Sequence, residues 1–370
     1  MPSLASGPRR EPLALSDDEV KEGHWECALP DPGPGIYAPI VNIPRGHVAI
    51  PREGGHTDDF GYDVILHFHG FGPVRKAVAK TARGVVFAGL DLGDGSGPYA
   101  EALSEPAAYP AIRESIEAAL RRHSGDERAH VRHLALSAWS AGYGAVNAIV
   151  RKGDAGVDAV ILLDGLHASF RPNVTRFDLT SSIEAVGVAP LIAYAQRAAD
   201  GEKLFYFSHS AIATTGYAST TLMANLLLER LGLSRRAAEP SDDPLALRAF
   251  VDERGFHLRS FGGSDKRAHC DHTRAIAEAI RDYLEPAWET PAARLPAKTA
   301  GPLSIVNHSA RRACRSASDR ARASCSSCTR APRKCGRSAP GRRRGGRCRR
   351  SRFRARNCGG RRLSRRGPRR

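Results

Sequence analysis

Four segments of this chain place reactive side chains at the ends of apolar runs. The first is Leu136-Ser137-Ala138-Trp139-Ser140-Ala141-Gly142-Tyr143-Gly144. A serine on a sharp strand-to-helix turn is pushed outward, where its hydroxyl can attack a carbonyl. Such a turn needs small residues two before and two after the serine, and Ala138 and Gly142 meet that need. Gly144 is expected to let the following helix lie close to the sheet. Ala141 would present its N–H at the helix N-terminus, a donor for an oxyanion. The second segment, Val64-Ile65-Leu66-His67-Phe68-His69-Gly70-Phe71-Gly72, runs into a glycine-rich turn. The third, Ile161-Leu162-Leu163-Asp164-Gly165-Leu166-His167, ends on a carboxylate, which is costly to bury unless paired. The fourth spans 262–272 and carries two candidate bases, His269 and His272, with His269 preferred.

Positioning these groups requires a rigid frame, and the hydropathy pattern supplies one. Strands are predicted at 39–50, 62–69, 84–92, 132–139, 157–164, 203–209 and 256–261. Several are apolar almost throughout, as strands buried on both faces of a parallel sheet are. The intervening segments have helical spacing: Ile112, Ile116 and Leu120; Val146, Ile149 and Val150; Leu222, Leu226 and Leu227; Ile276, Ile280, Tyr283 and Leu284. The last of these helices is expected to begin near Asp271, its cap. Strand and helix in alternation predict a three-layer α/β/α sandwich around a mostly parallel central sheet. In such a sheet ligands bind beyond the carboxyl ends of the strands, where all four segments end.

The segment Ala138-Trp139-Ser140-Ala141-Gly142 resembles the nucleophile elbow of the α/β-hydrolase superfamily, Gly-x-Ser-x-Gly, with Ala in place of the first Gly. The resemblance covers roughly residues 36–288. It implies a serine hydrolase, carboxylesterase-like, with Ser140 as nucleophile and the chain order Ser, acid, His. Asp164 then falls as the acid, with Asp178 and Asp265 behind it, and the base lies at His269 or His272. Asp164 sits one strand earlier than many members of the family carry the acid. The resemblance also implies an oxyanion hole from the N–H groups of Phe71 and Ala141, with His69 and Gly70 shaping that loop. Trp139, Tyr143, His167, His209 and the loop 93–99 are expected to line the cleft. The implied chemistry is acyl transfer on a small-molecule ester, or a related acyl compound, through an acyl-enzyme, with no cofactor. Two other readings stand beside it: a metal-dependent hydrolase using His67 and His69, and a non-catalytic scaffold with a nucleic-acid-binding tail.

Charge divides the chain. Among 370 residues Lys and Arg number 56 and Asp and Glu 39, a net of +17. Residues 309–370 hold 23 Arg, one Lys and one Asp, a net of +23, which leaves −6 for residues 1–308. The tail has one Phe and one Leu and no Ile, Val, Met, Tyr or Trp, so it cannot bury enough surface to offset its ordering entropy. It is expected to be disordered. Its composition is that of a GC-rich coding strand read out of frame, and its arginines would make only non-specific anionic contacts. The expected division is therefore a flexible lead-in over 1–35, a catalytic domain over 36–290 and a Pro/Arg/Cys-rich tail over 291–370. No specific nucleic-acid partner is expected of the folded domain. Six of the eight cysteines lie in the tail, leaving Cys27 and Cys270. That is not a disulfide framework and fits a reducing compartment, although one body disulfide stays open. With no signal-peptide pattern and no apolar run of membrane-spanning length, the expected location is the cytoplasm.

Overall fold

The computed structural model describes residues 27, 30–153, 156–243 and 246–294. Their chain order begins with an antiparallel hairpin, β1 (Val41–Ile43) and β2 (Gly46–Ala49), followed by β3 (Gly61–Phe68). Next come α1 (Phe71–Thr81), β4 (Val86–Leu90), α2 (Ser96–Ser104), α3 (Ala108–Ser124), β5 (His130–Trp139), α4 (Tyr143–Arg151) and β6 (Ala159–Leu163). Then follow α5 (Ala189–Ala199), β7 (Leu204–His209), α6 (Thr220–Leu231), the short β8 (Arg236–Ala237), β9 (Leu247–Glu253), β10 (Phe256–Phe261) and α7 (Lys266–Asp271). The strands form one sheet in the order β1-β2-β4-β3-β5-β6-β7-β10-β9-β8. The centre, β4-β3-β5-β6-β7-β10, is parallel, and both edges are antiparallel.

The expected sandwich is present, with a finer sheet than the pattern predicts. The single strand expected over 39–50 is a hairpin, because Pro44 and the left-handed Arg45 (φ 68°) turn the chain back. Strands β8 and β9 extend the far edge; β9 is only half-buried and shows no continuous apolar run.

Alternation along the central strands explains the three layers. Val64, Leu66 and Phe68 of β3 pack with α2 to α6 on one face, while Ile65 packs with α1 and the closing helical run 272–288 on the other. Val160 and Leu162 against Ile161 and Leu163 repeat this in β6. Each such side chain, fully buried, contributes roughly 1.5–3 kcal/mol. Ile276, Ile280 and Leu284 are fully buried, as their spacing predicts. Helix α7 nevertheless begins earlier than expected: Asp265, not Asp271, caps it by accepting from the Ala268 N–H at 2.8 Å. His269 is therefore helical and held on both sides.

Two flanking assignments shift. Residues 291–294, expected in the tail, join the body through bonds from the Ala293 N–H to Arg83 O and from the Arg294 N–H to Glu53 O. The remaining tail, with its expected disorder and anionic contacts, lies outside the described residues. Cys27 and Cys270 form a disulfide that spans 243 positions. Such bridges persist in oxidising surroundings, so cysteine usage gives no support to the reducing compartment expected. No helix among the described residues is long and apolar enough to cross a membrane.

Candidate active site

The carboxyl edge of the parallel sheet collects the reactive residues. His69 follows β3, Asp91 follows β4, Ser140 follows β5, Asp164 follows β6 and His209 ends β7, while His269 arrives on α7 after β10. Three of these turn residues have left-handed backbone: His69 (φ 70°), Ser140 (φ 49°) and Asp164 (φ 44°). Non-glycine residues in that region cost of order 1–3 kcal/mol each and persist where the surroundings hold them.

The surroundings are tight around Ser140. A Cβ on Gly142 would meet Phe68 O at 2.0 Å, and one on Gly165 would meet Ser140 O at 2.3 Å. The first explains why the second small position of the elbow is glycine. The second locks the turn after Asp164 onto the Ser140 turn. Gly144 acts differently from the expectation: its Cβ would strike Ser96 O at 2.5 Å, so it admits the start of α2 rather than the sheet.

Asp164 is buried and accepts four hydrogen bonds. Its Oδ2 takes His269 Nδ1 at 2.7 Å, and its Oδ1 takes the Ser210 N–H at 2.9 Å, the Ser210 hydroxyl at 3.1 Å and the Thr220 hydroxyl at 2.8 Å. Burial pushes its carboxyl up, but the bond from His269 and the nearby His272 and His269 rings outweigh it. The carboxyl is held well below the usual range. Ser210 and Thr220 are partners of Asp164 that the sequence pattern does not reveal, since short hydroxylated side chains carry no spacing signal. Asp178 pairs instead with Arg176, far out on an exposed loop, and Asp265 caps α7.

His269 and His272 part company. His269 is on Asp164 and partly exposed, with 27% of its side chain accessible. His272 is buried, its Nδ1 lies 2.9 Å from Ser208 Oγ, and burial lowers its affinity for a second proton. His209, expected in the cleft, is also buried, with Nε2 on Ser260 Oγ at 2.8 Å.

Trp139, expected to line the cleft, is only 8% exposed and works as a bracket. Its indole stacks with His69 (centroids 5.2 Å apart) and with His269 (4.9 Å). It also donates from Nε1 to His269 O at 3.1 Å. The residue before Ser140 therefore seats the His269 ring and its helix together. Gly70 lies beneath this indole, where a Cβ would meet it at 2.6 Å.

The oxyanion candidates are unequal. Ala141 opens the helical run after Ser140, so its N–H has no intrahelical acceptor. The Phe71 N–H lies 3.4 Å from Asp91 Oδ1, and the Gly70 N–H donates to the same oxygen at 2.6 Å. Asp91 is a partner that the sequence reading missed. His69 does brace this loop: its Nδ1 meets the Tyr99 hydroxyl at 3.0 Å, which accepts from the Leu92 N–H.

His67 is unsuited to hold a metal. It is fully buried, with Nδ1 on Ser137 Oγ at 3.0 Å and Nε2 donating to His69 O at 2.7 Å, so both nitrogens are engaged. Among the described residues no group of three metal-ligating side chains converges.

The buried histidines make a pH prediction. Burial lowers His67 to about 3 and His209 to about 4, from an ordinary 6.5. Below 6.5 the unfolded chain binds protons that the folded chain refuses, so stability falls with pH until the folded values are reached. Each group contributes a slope of up to roughly 1.4 kcal/mol per pH unit. Urea midpoints should therefore drop between pH 7 and pH 5; a flat profile would show that neither ring is held neutral.

No protein-family model matches the chain, and no curated protein matches it. Solved structures do. The enterochelin esterase of Shigella flexneri is 11% identical over 71% of this chain, with a TM-score of 0.40, and the match spans 61% of that protein. The feruloyl esterase module of Clostridium thermocellum, complexed with sinapinate, is 12% identical over 69% of this chain and 90% of that one (TM-score 0.39). The ferric enterobactin esterase of Salmonella typhimurium is 12% identical over 72% of this chain and 62% of that one (TM-score 0.40). The chain thus spans about three fifths of the enterobactin-type esterases it resembles. Sheet order, the parallel centre of the sheet and the helices on both of its faces decide the architecture. The chain has the α/β-hydrolase fold. Within that fold Ser140 follows β5, Asp164 follows β6 and the partly exposed His269 follows β10.

Proposed function

We propose that the protein is a serine hydrolase that cleaves an ester through Ser140, His269 and Asp164. The observation that carries this reading is the 2.7 Å bond between His269 and a buried carboxylate already saturated by three other donors. A carboxylate only accepts, so Nδ1 carries the proton and Nε2 keeps its lone pair for a proton from the nucleophile. His269 Nε2 takes the Ser140 proton as Ser140 Oγ attacks the carbonyl carbon. The imidazolium, stabilised by Asp164, then protonates the leaving alcohol. Water repeats the sequence on the acyl-enzyme and frees the acid.

The developing oxyanion is held by the Ala141 N–H and by the Phe71 N–H, whose long contact to Asp91 is the weaker of the two that Asp91 makes. One such donor is worth roughly 2.7–4 kcal/mol in the transition state. The named solved structures, all esterases, agree in kind with an ester substrate.

The test is covalent labelling with a fluorescent fluorophosphonate, followed by peptide mass spectrometry. An adduct on Ser140 is expected. Folded protein that takes no label, or takes it elsewhere, would remove Ser140 from the role.

A further inference from the structure

Three rings meet in a row between the helix after Ser140 and the segment before α6. Tyr143 lies one turn after the nucleophile, and His167 lies three residues after Asp164. Tyr143 meets His167 edge-on at 5.5 Å and 71°, and His167 meets Tyr217 edge-on at 5.0 Å and 83°. An edge-to-face contact covers one face of one ring in each pair and leaves the rings unstacked. Tyr217 is 45% exposed, yet its backbone is pinned by a bridge to Ser169 and by the Thr214 hydroxyl on its carbonyl at 2.7 Å. The row is therefore preformed.

His167 adds polarity of one sign. Its Nδ1 faces Ala218 O at 2.9 Å, and a carbonyl only accepts, so that nitrogen carries the proton. Burial lowers the ring's affinity for a second proton, although the Ala218 carbonyl and Asp164 oppose it. Nε2 is left as a lone-pair acceptor on a partly exposed side chain. A hydrogen-bond donor on the substrate satisfies it, whereas a carboxylate there would meet lone pair with lone pair.

Resting on the serine-esterase reading, we propose that Tyr143, His167 and Tyr217 form the subsite for a hydroxylated aromatic ring of the ester, with His167 Nε2 accepting from the ring hydroxyl. The subsite discriminates twice, by stacking for the ring and by one acceptor for its hydroxyl.

The experiment measures kcat/KM of the full chain on methyl esters of hydroxyphenylpropanoic acids (hydroxyl meta or para), against the phenyl and cyclohexyl parents. Matching benzyl acetates cover a ring on the alcohol side. Wild type should favour a hydroxylated ring over the bare ring by about tenfold or more, the scale of one satisfied polar group. It should also favour phenyl over cyclohexyl. In His167→Phe the hydroxyl preference should collapse to near unity while the phenyl preference remains, and His167→Gln, which keeps an acceptor, should restore part of it. A purely structural role for His167 would lower all esters together and leave the ratios alone. In protein labelled at Ser140, a wild-type hydroxyl ratio near unity in both series, or one unchanged in His167→Phe, overturns the subsite and spares the esterase reading. Absence of labelling at Ser140 overturns both.

Discussion

Replacing Ser140 with alanine is expected to remove ester hydrolysis and fluorophosphonate labelling together, with kcat falling by on the order of 10⁴ to 10⁶. The size follows from the division of labour at the site. Ser140 supplies the only atom that bonds to the acyl carbon, so its loss leaves water as nucleophile, aided by the oxyanion donors alone. The backbone of the elbow should survive the change. Its left-handed turn is enforced by Gly142 against Phe68 O and by Gly165 against the Ser140 backbone, and neither contact involves the hydroxyl. Circular dichroism and urea midpoints near those of the wild type, with activity gone, are the expected result. Activity within tenfold of the wild type would place the nucleophile elsewhere.

The second large effect is expected of Asp164→Asn, a loss of about 10⁴ in kcat. Oδ1 of Asp164 receives three donors, from the Ser210 N–H, the Ser210 hydroxyl and the Thr220 hydroxyl. An asparagine would turn its oxygen toward them and its NH₂ toward His269. His269 would then have to accept at Nδ1 and carry its proton on Nε2, the nitrogen that must take the Ser140 proton. The catalytic tautomer is lost while the packing is kept. Stability should fall too. A carboxyl whose folded value lies below its ordinary 3.8 stabilises the fold fully above that value, and the gain fades as pH drops through the folded value. The variant should thus be less stable at neutral pH and lose less on acidification below pH 4. A kcat loss under about tenfold would assign the acid's role to another group.

These two predictions draw on different layers of information. Ser140 is legible in the sequence because its turn imposes composition: small residues must flank it, an apolar strand must precede it and a helix must follow. Asp164 is legible because a carboxylate ending a fully apolar run demands a partner. The choice between His269 and His272 is not legible. Both lie within four residues of each other, and which one meets Asp164 depends on where α7 begins, which Asp265 sets through its cap on Ala268. His209 fails as a cleft residue for the same kind of reason: a strand-end histidine can turn toward solvent or toward Ser260, and only packing selects.

Sequence by itself determined the layers and the parallel core of the sheet, and marked Ser140 and Asp164 as strand-end candidates, because burial on one or two faces writes a period into the chain. Tertiary structure alone decided the partners. It paired His269 with Asp164 across 105 positions, stacked Trp139 with two histidines, set Asp91 on the Gly70 and Phe71 amides and joined Cys27 to Cys270. Such contacts link residues distant in the chain through a single distance and angle, and no local pattern of residue types encodes either.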